Sequence, residues 1–141
     1  MSFSNPSTDE IRDLLRAART IAVIGYSPDA DRPSHSIAHS LARAGYRVIA
    51  VRPQLASAFD GPAYAQLCDI PNAAATVDIV DVFRAPQHVR AIVDECIALG
   101  MRTLWLQDGV VDEVSAQRAQ AAGITVIMDR CIGRDYRMLV A

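Results

Sequence analysis

Apolar residues in this chain follow two spacings that alternate from one end to the other. Short, near-continuous apolar runs occur at 21–24, 46–51, 77–83, 103–106 and 124–128. Between them the apolar positions recur every three or four residues, the period of a helix with one buried face. The first such segment starts at Ser7 or Thr8, either of which suits a helix cap, and sets Ile11, Leu14, Leu15 and Ala18 on one side behind Asp9 and Glu10. A second helix is predicted over 34–44, with Ile37, Ala38 and Leu41 inward and Gly45 ending it. A third starts at Pro86, carries Val89, Ile92, Val93, Cys96 and Ile97, and stops at Gly100. A fourth spans 112–122 before Gly123, and a helical tail is predicted over 135–140. Residues 54–75 are less regular, with 61–64 reading as a brief edge strand and 64–68 as one helical turn.

Strands apolar on both faces and separated by helices make a parallel sheet covered on both sides. The predicted class is α/β, a doubly wound parallel sheet in three layers, α/β/α. No repeat, heptad array or low-complexity linker breaks the pattern, so residues 1–141 read as one domain.

In such sheets a ligand lies beyond the carboxyl ends of the strands, where the strand order reverses. That rule selects five corners: Gly25-Tyr26-Ser27-Pro28, Val51-Arg52-Pro53, Phe83-Arg84-Ala85-Pro86, Gln107-Asp108-Gly109 and Asp129-Arg130-Cys131. Gly25 permits a close backbone approach or a positive φ, and Ser27, Ser34 and the first amides of the second helix are candidate phosphate contacts. No further glycine completes a G-x-G-x-x-G fingerprint after Gly25, and the second strand ends in Arg52 rather than in an acid for ribose hydroxyls. Both features disfavour NAD, and Arg52 suits a phosphorylated ribose, as in NADP or coenzyme A. Arg32 is a candidate pyrophosphate contact.

The 141 residues carry a net charge of -2, and all fourteen basic residues are arginine. A phosphate-loop lysine, a Schiff-base lysine and a broad nucleic-acid surface are thereby excluded. Cys68, Cys96 and Cys131 are odd in number and form no C-x-x-C pair, which suggests neither a disulfide framework nor a zinc site and fits a reducing cytoplasm. The first residues lack an export signal, and no apolar run is long enough for a membrane span. His35 and His39 lie one helical turn apart without a third ligand beside them, so a structural role is expected. Asp78 and Asp81 should point to opposite faces, with Asp81 held in a buried hydrogen-bond network.

In its motifs Ala22-Val23-Ile24-Gly25-Tyr26-Ser27-Pro28, Asp31-Arg32-Pro33-Ser34, Val51-Arg52-Pro53, Asp78-Ile79-Val80-Asp81-Val82-Phe83-Arg84, Trp105-Leu106-Gln107-Asp108-Gly109-Val110 and Met128-Asp129-Arg130-Cys131, the chain resembles the small stand-alone CoA-binding proteins. Their single domain is similar to the N-terminal CoA-binding domain of the succinyl-CoA synthetase alpha subunit. The resemblance covers about residues 20–139. It departs from the family pattern at Arg52-Pro53, where Asn-Pro is frequent, and at Asp108, where an apolar residue is common.

What the resemblance implies is a Rossmann-like fold of strand order 3-2-1-4-5-6, with residues 61–64 as the third, edge strand. Coenzyme A or an acyl-CoA would lie across the strand ends. Its phosphates would sit near Ser27, Arg32 and Ser34, and its adenosine by Val51-Arg52-Pro53 and Val82-Phe83-Arg84. The expected binding set is Gly25, Tyr26, Ser27, Arg32, Pro33, Ser34, Val51, Arg52, Pro53, Val82, Phe83, Arg84, Gln107, Gly109, Arg130 and Cys131. The expected role is cytoplasmic binding of a small molecule without catalysis, since the phosphohistidine-bearing domain of the synthetase has no counterpart in these motifs. Two alternatives are an NADP-binding reductase-like protein and a redox partner in which Cys131 pairs with the CoA thiol. A homodimer is compatible with the composition.

Overall fold

The computed structural model describes residues 2–141. Helix α1 (Thr8–Ala17) is opened by a reciprocal capping box between Ser7 and Glu10, and buries Ile11 and Leu15. It leads into β1 (Thr20–Ile24), α2 (Pro33–Arg43) and β2 (Arg47–Val51). A two-residue-strand hairpin, β3 (Ser57–Ala58) and β4 (Gly61–Pro62), is followed by a 3-10 turn at Leu67–Asp69 and the short α3 (Ala73–Thr76). The chain then alternates β5 (Ile79–Val82), α4 (Val89–Leu99), β6 (Thr103–Leu106), α5 (Glu113–Ala121), β7 (Thr125–Ile127) and α6 (Ile132–Leu139).

Five strands form one parallel sheet in the order β2-β1-β5-β6-β7. The order reverses between β1 and β5, which puts the switch point between the Gly25 and Phe83 corners. Side chains alternate between two apolar clusters. Ala22, Ile24, Val80, Val82, Leu104 and Leu106 share one cluster with Val89, Val93 and Ala116 of α4 and α5. Ile21, Val23, Ile79 and Trp105 share the other with Ile11, Leu41 and Ile132 of α1, α2 and α6. Helices therefore cover both faces, as the unbroken apolar strands require.

The expected third strand is reduced to a single residue. Gly61 and Pro62 pair antiparallel with Ala58 and Ser57, and only Tyr64 reaches the sheet, bridging Val51 in parallel. Its N–H donates to the Ala50 carbonyl and its carbonyl accepts from Arg52 N–H. Proline lacks a ladder donor, so Pro62 cannot extend that pairing. The opposite edge is closed by Asn5, whose side-chain amide donates to Met128 O at 3.0 Å and accepts from Met128 N at 2.8 Å, as a neighbouring strand would.

Three other expectations change. The helical turn placed at 64–68 falls at Leu67–Asp69, and the strand placed at 77–83 is trimmed to Ile79–Val82. Asp78 lies before that strand and pins the start of β1, its Oδ2 accepting from the N–H groups of Arg19 and Thr20 at 2.8 and 2.9 Å. Asp81 has no network: it is fully buried, and neither oxygen finds a partner among the described residues. Burial alone pushes its carboxyl well above the ordinary carboxylate range. No helix among the described residues is long and apolar enough to cross a membrane.

Candidate functional site

A cleft of about 880 Å³ runs along the carboxyl ends of the strands. Arg52, Gly25, Phe83, Gln107 and Cys131 follow one another along it in the order of the strands that carry them. Its size and place suit a small-molecule site.

Gly25 makes the central turn possible. Its φ is +84°, and a Cβ there would stand 2.7 Å from the carbonyl oxygen of Phe83, inside any tolerable contact. The loop then folds onto the start of α2, where Ser34, itself buried, accepts from Ser27 N–H at 3.0 Å through Oγ. Pro33 opens α2 and the Arg32 cap position supplies no side-chain bond to the first turn. The His35 and Ser36 amides donate to the Arg32 carbonyl at 3.0 and 3.3 Å, so among the described residues Ser34 N–H is the one first-turn amide left for an anion at the cleft.

Arginine dominates the electrostatics. Arg32, Arg52 and Arg84 line the cleft, and none meets a carboxylate among the described residues. Arg52 donates to the Tyr26 carbonyl at 3.2 Å, and Arg84 lies 3.1 Å from His88 Nε2. The cleft acids are already engaged: Asp108 forms a two-bond pair with Arg134 at 3.0 and 3.1 Å, and Asp29 accepts from Asp31 N–H at 3.0 Å. Gln107 is buried, and its Oε1 accepts from Ile132 N–H at 3.1 Å, which starts α6 earlier than the expected 135–140.

Eleven expected residues come together here: Gly25, Ser27, Arg32, Pro33, Ser34, Arg52, Phe83, Arg84, Gln107, Gly109 and Cys131. Five do not line the cleft. Val51 and Val82 are buried in the sheet core and contribute only carbonyls, accepting from Gly25 N–H and Gln107 N–H. Pro53 is exposed beyond the rim. Arg130 turns away and is committed to buried Asp135 by bonds of 2.7 and 2.9 Å, the main cause of its raised pKa.

Tyr26 is buried behind the loop. Its hydroxyl meets His39 Nε2 at 2.8 Å, and its ring packs edge-on against Phe59 at 5.3 Å between centroids. Phe59 occupies the hairpin turn at φ 56°, beside Asp60 at 58°. His35 supports the same loop, its Nδ1 lying 3.0 Å from the Ser27 carbonyl, and its ring lies tilted beside His39 with centroids 4.1 Å apart. Burial, then the neighbouring His35 and Arg43, hold His39 below the ordinary histidine range. Both histidines brace the loop that carries Tyr26 and Ser27. Asp29, Ile37 and Val110 line the cleft outside the expected binding set; Val110 ends the 105–110 motif, Asp29 follows Pro28, and Ile37 is predicted only as an inward helix position.

The CoA binding domain family matches residues 19–137. The chain belongs to that family. Among relatives of this CoA-binding domain, the uncharacterized protein YneT of Bacillus subtilis (strain 168) is 36% identical over 130 residues, which cover 92% of this chain and 94% of that one. The structure of cell-free ID.343 from Thermus thermophilus is similar at a TM-score of 0.87 and 35% identity, covering 95% of this chain and 99% of the other. A hypothetical protein from Pyrococcus horikoshii OT3 superposes at 0.89 with 26% identity and complete coverage of both chains. The similarity runs over nearly the full length of each of these proteins.

Proposed function

We propose that the cleft binds coenzyme A or an acyl-CoA and performs no reaction on it. The observation that carries this reading is the set of three cleft arginines, Arg32, Arg52 and Arg84, with no carboxylate partner among the described residues, while nearby Arg130 and Arg134 have theirs. Coenzyme A brings a ribose phosphate and a pyrophosphate to such a surface, and guanidinium groups recognise phosphate oxygens by paired hydrogen bonds.

In this reading Arg52 and Arg84 meet the phosphorylated adenosine, and Arg32, the Gly25 turn and the start of α2 meet the pyrophosphate. The pantetheine arm then runs past Gln107 toward Cys131. The prior engagement of Asp29 and Asp108 supports binding rather than acid–base chemistry. Three unpaired cysteines suit a reducing cytoplasm, the setting proposed here.

Native mass spectrometry of the purified, reduced protein mixed with coenzyme A and NADP tests the reading. Retention of a mass equal to coenzyme A is expected. Retention of NADP alone would overturn it in favour of a reductase-like protein.

A further inference from the structure

Cys131 stands at the end of the cleft opposite Arg52. It is the only cysteine of the three to line it: Cys96 is buried in the core, and Cys68 is exposed and bonded to Gln66. Cys131 occupies the cap position of α6 but makes no side-chain capping bond. Its thiol makes no hydrogen bond among the described residues and is half-buried.

Gln107 gives an independent sign of a ligand at this end. The residue is only 4% exposed and lines the cleft, its Oε1 is pinned, and its Nε2 meets no acceptor among the described residues. That donor is open only toward the cleft, and the amide carbonyls of a pantetheine arm are acceptors of the kind it takes.

Length agrees. Adjacent strands lie about 4.8 Å apart, so the three steps from the Gly25 turn on β1 to the end of β7 span roughly 14 Å. The twelve or so bonds from the inner phosphate of coenzyme A to its sulfur equal about four residues of extended chain, again roughly 14 Å. An arm anchored by phosphates at the Gly25 turn delivers its sulfur to Cys131.

Building on the proposed binding of coenzyme A, we infer that Cys131 captures the coenzyme A thiol covalently, as a mixed disulfide formed from a CoA disulfide. The Cys131 thiol gives its proton to water, and the thiolate attacks one sulfur of the bound CoA disulfide. The bond from Cys131 Sγ to that sulfur forms as the original S–S bond breaks, and the second coenzyme A leaves as a thiolate that takes up a proton. One disulfide is consumed and one is made, so no further oxidant enters. A free thiol reverses the step by attacking the new disulfide, which makes the cleft a reversible store for the coenzyme under oxidising conditions.

The test uses the full chain. Reduced protein is first titrated with coenzyme A by calorimetry in the presence of a non-thiol reductant. After removal of the reductant it is mixed with CoA disulfide or, separately, with oxidised glutathione, and the adduct is followed by intact and peptide mass spectrometry. Expected is one coenzyme A per chain on Cys131, formed at least tenfold faster than the glutathione adduct, released by dithiothreitol, retained in Cys68→Ser and absent in Cys131→Ser. Reversible binding of coenzyme A without a Cys131 adduct, or labelling no faster than with glutathione, overturns the inference and leaves the binding role intact. Failure of the reduced protein to bind coenzyme A overturns both.

Discussion

Replacing Asp81 with asparagine should remove a pH dependence of stability that the wild-type fold carries. Asp81 sits in register between Val23 and Trp105 in the middle of the sheet, fully buried, with neither oxygen bonded among the described residues. Burial raises its folded pKa well above 3.8, so it folds as the neutral acid, while the unfolded chain ionises near the ordinary value. A raised folded pKa gives stability that is complete below the unfolded value and is lost as pH rises toward the folded one. One proton difference is worth about 1.4 kcal/mol per pH unit. Urea unfolding at pH 5 and 6 should therefore show wild type losing stability relative to Asp81→Asn, by up to about 1.4 kcal/mol. For m values of roughly 1–3 kcal/mol/M, that is a relative midpoint shift of up to about 0.5–1.4 M. His39, whose pKa is lowered, acts in the opposite direction but equally in both proteins, and cancels from the difference. Asparagine keeps an unsatisfied polar group, so the slope with pH, rather than the absolute offset, is diagnostic. A stability difference constant from pH 5 to 7 would refute the reasoning.

Other perturbations probe the edges and the cleft. Gly25→Ala forces a Cβ onto the Phe83 carbonyl at a positive φ and should cost about 1–3 kcal/mol by thermal unfolding while abolishing coenzyme A binding in calorimetry. Asn5→Ala strips Met128 of both its edge partners and should cost about 1–3 kcal/mol, with faster hydrogen exchange at the Met128 amide. Arg52→Ala should weaken coenzyme A binding more than dephospho-CoA binding, and equal weakening would remove its ribose-phosphate role. Cys96, whose thiol burial pushes up to about 12, should react with an aromatic disulfide reagent only after unfolding.

The layered sheet was legible because its strands are apolar on both faces and its helices are punctuated by Pro33, Pro86 and terminal glycines. The corners at the strand ends followed from that topology, and most chosen side chains do meet in one cleft. Side-chain direction within a corner was not legible. Tyr26 and Arg130 lie at the right backbone positions, yet the first turns toward His39 and the second toward Asp135. Both partners are supplied by helices, and local spacing does not show which way a loop residue leans. The early start of α6 has a similar cause: its cap is Gln107, twenty-five residues before Ile132. The edge strand failed because one proline and a tight turn at Phe59-Asp60 diverted residues 57–62 into their own hairpin. The missing partner of Asp81 is a tertiary fact, since an acid in an apolar strand ordinarily implies one.

The central claim, that coenzyme A lies across the strand ends, is tested most directly by mapping amide chemical-shift changes as coenzyme A is added to the labelled, reduced protein. The account predicts saturable shifts concentrated at Gly25, Ser27, Arg52, Arg84, Gln107 and Gly109, along the cleft from β2 to β7. Shifts centred instead on the separate groove formed by Tyr46, Phe59, Gly61 and Tyr64, with the strand-end amides unmoved, would contradict it.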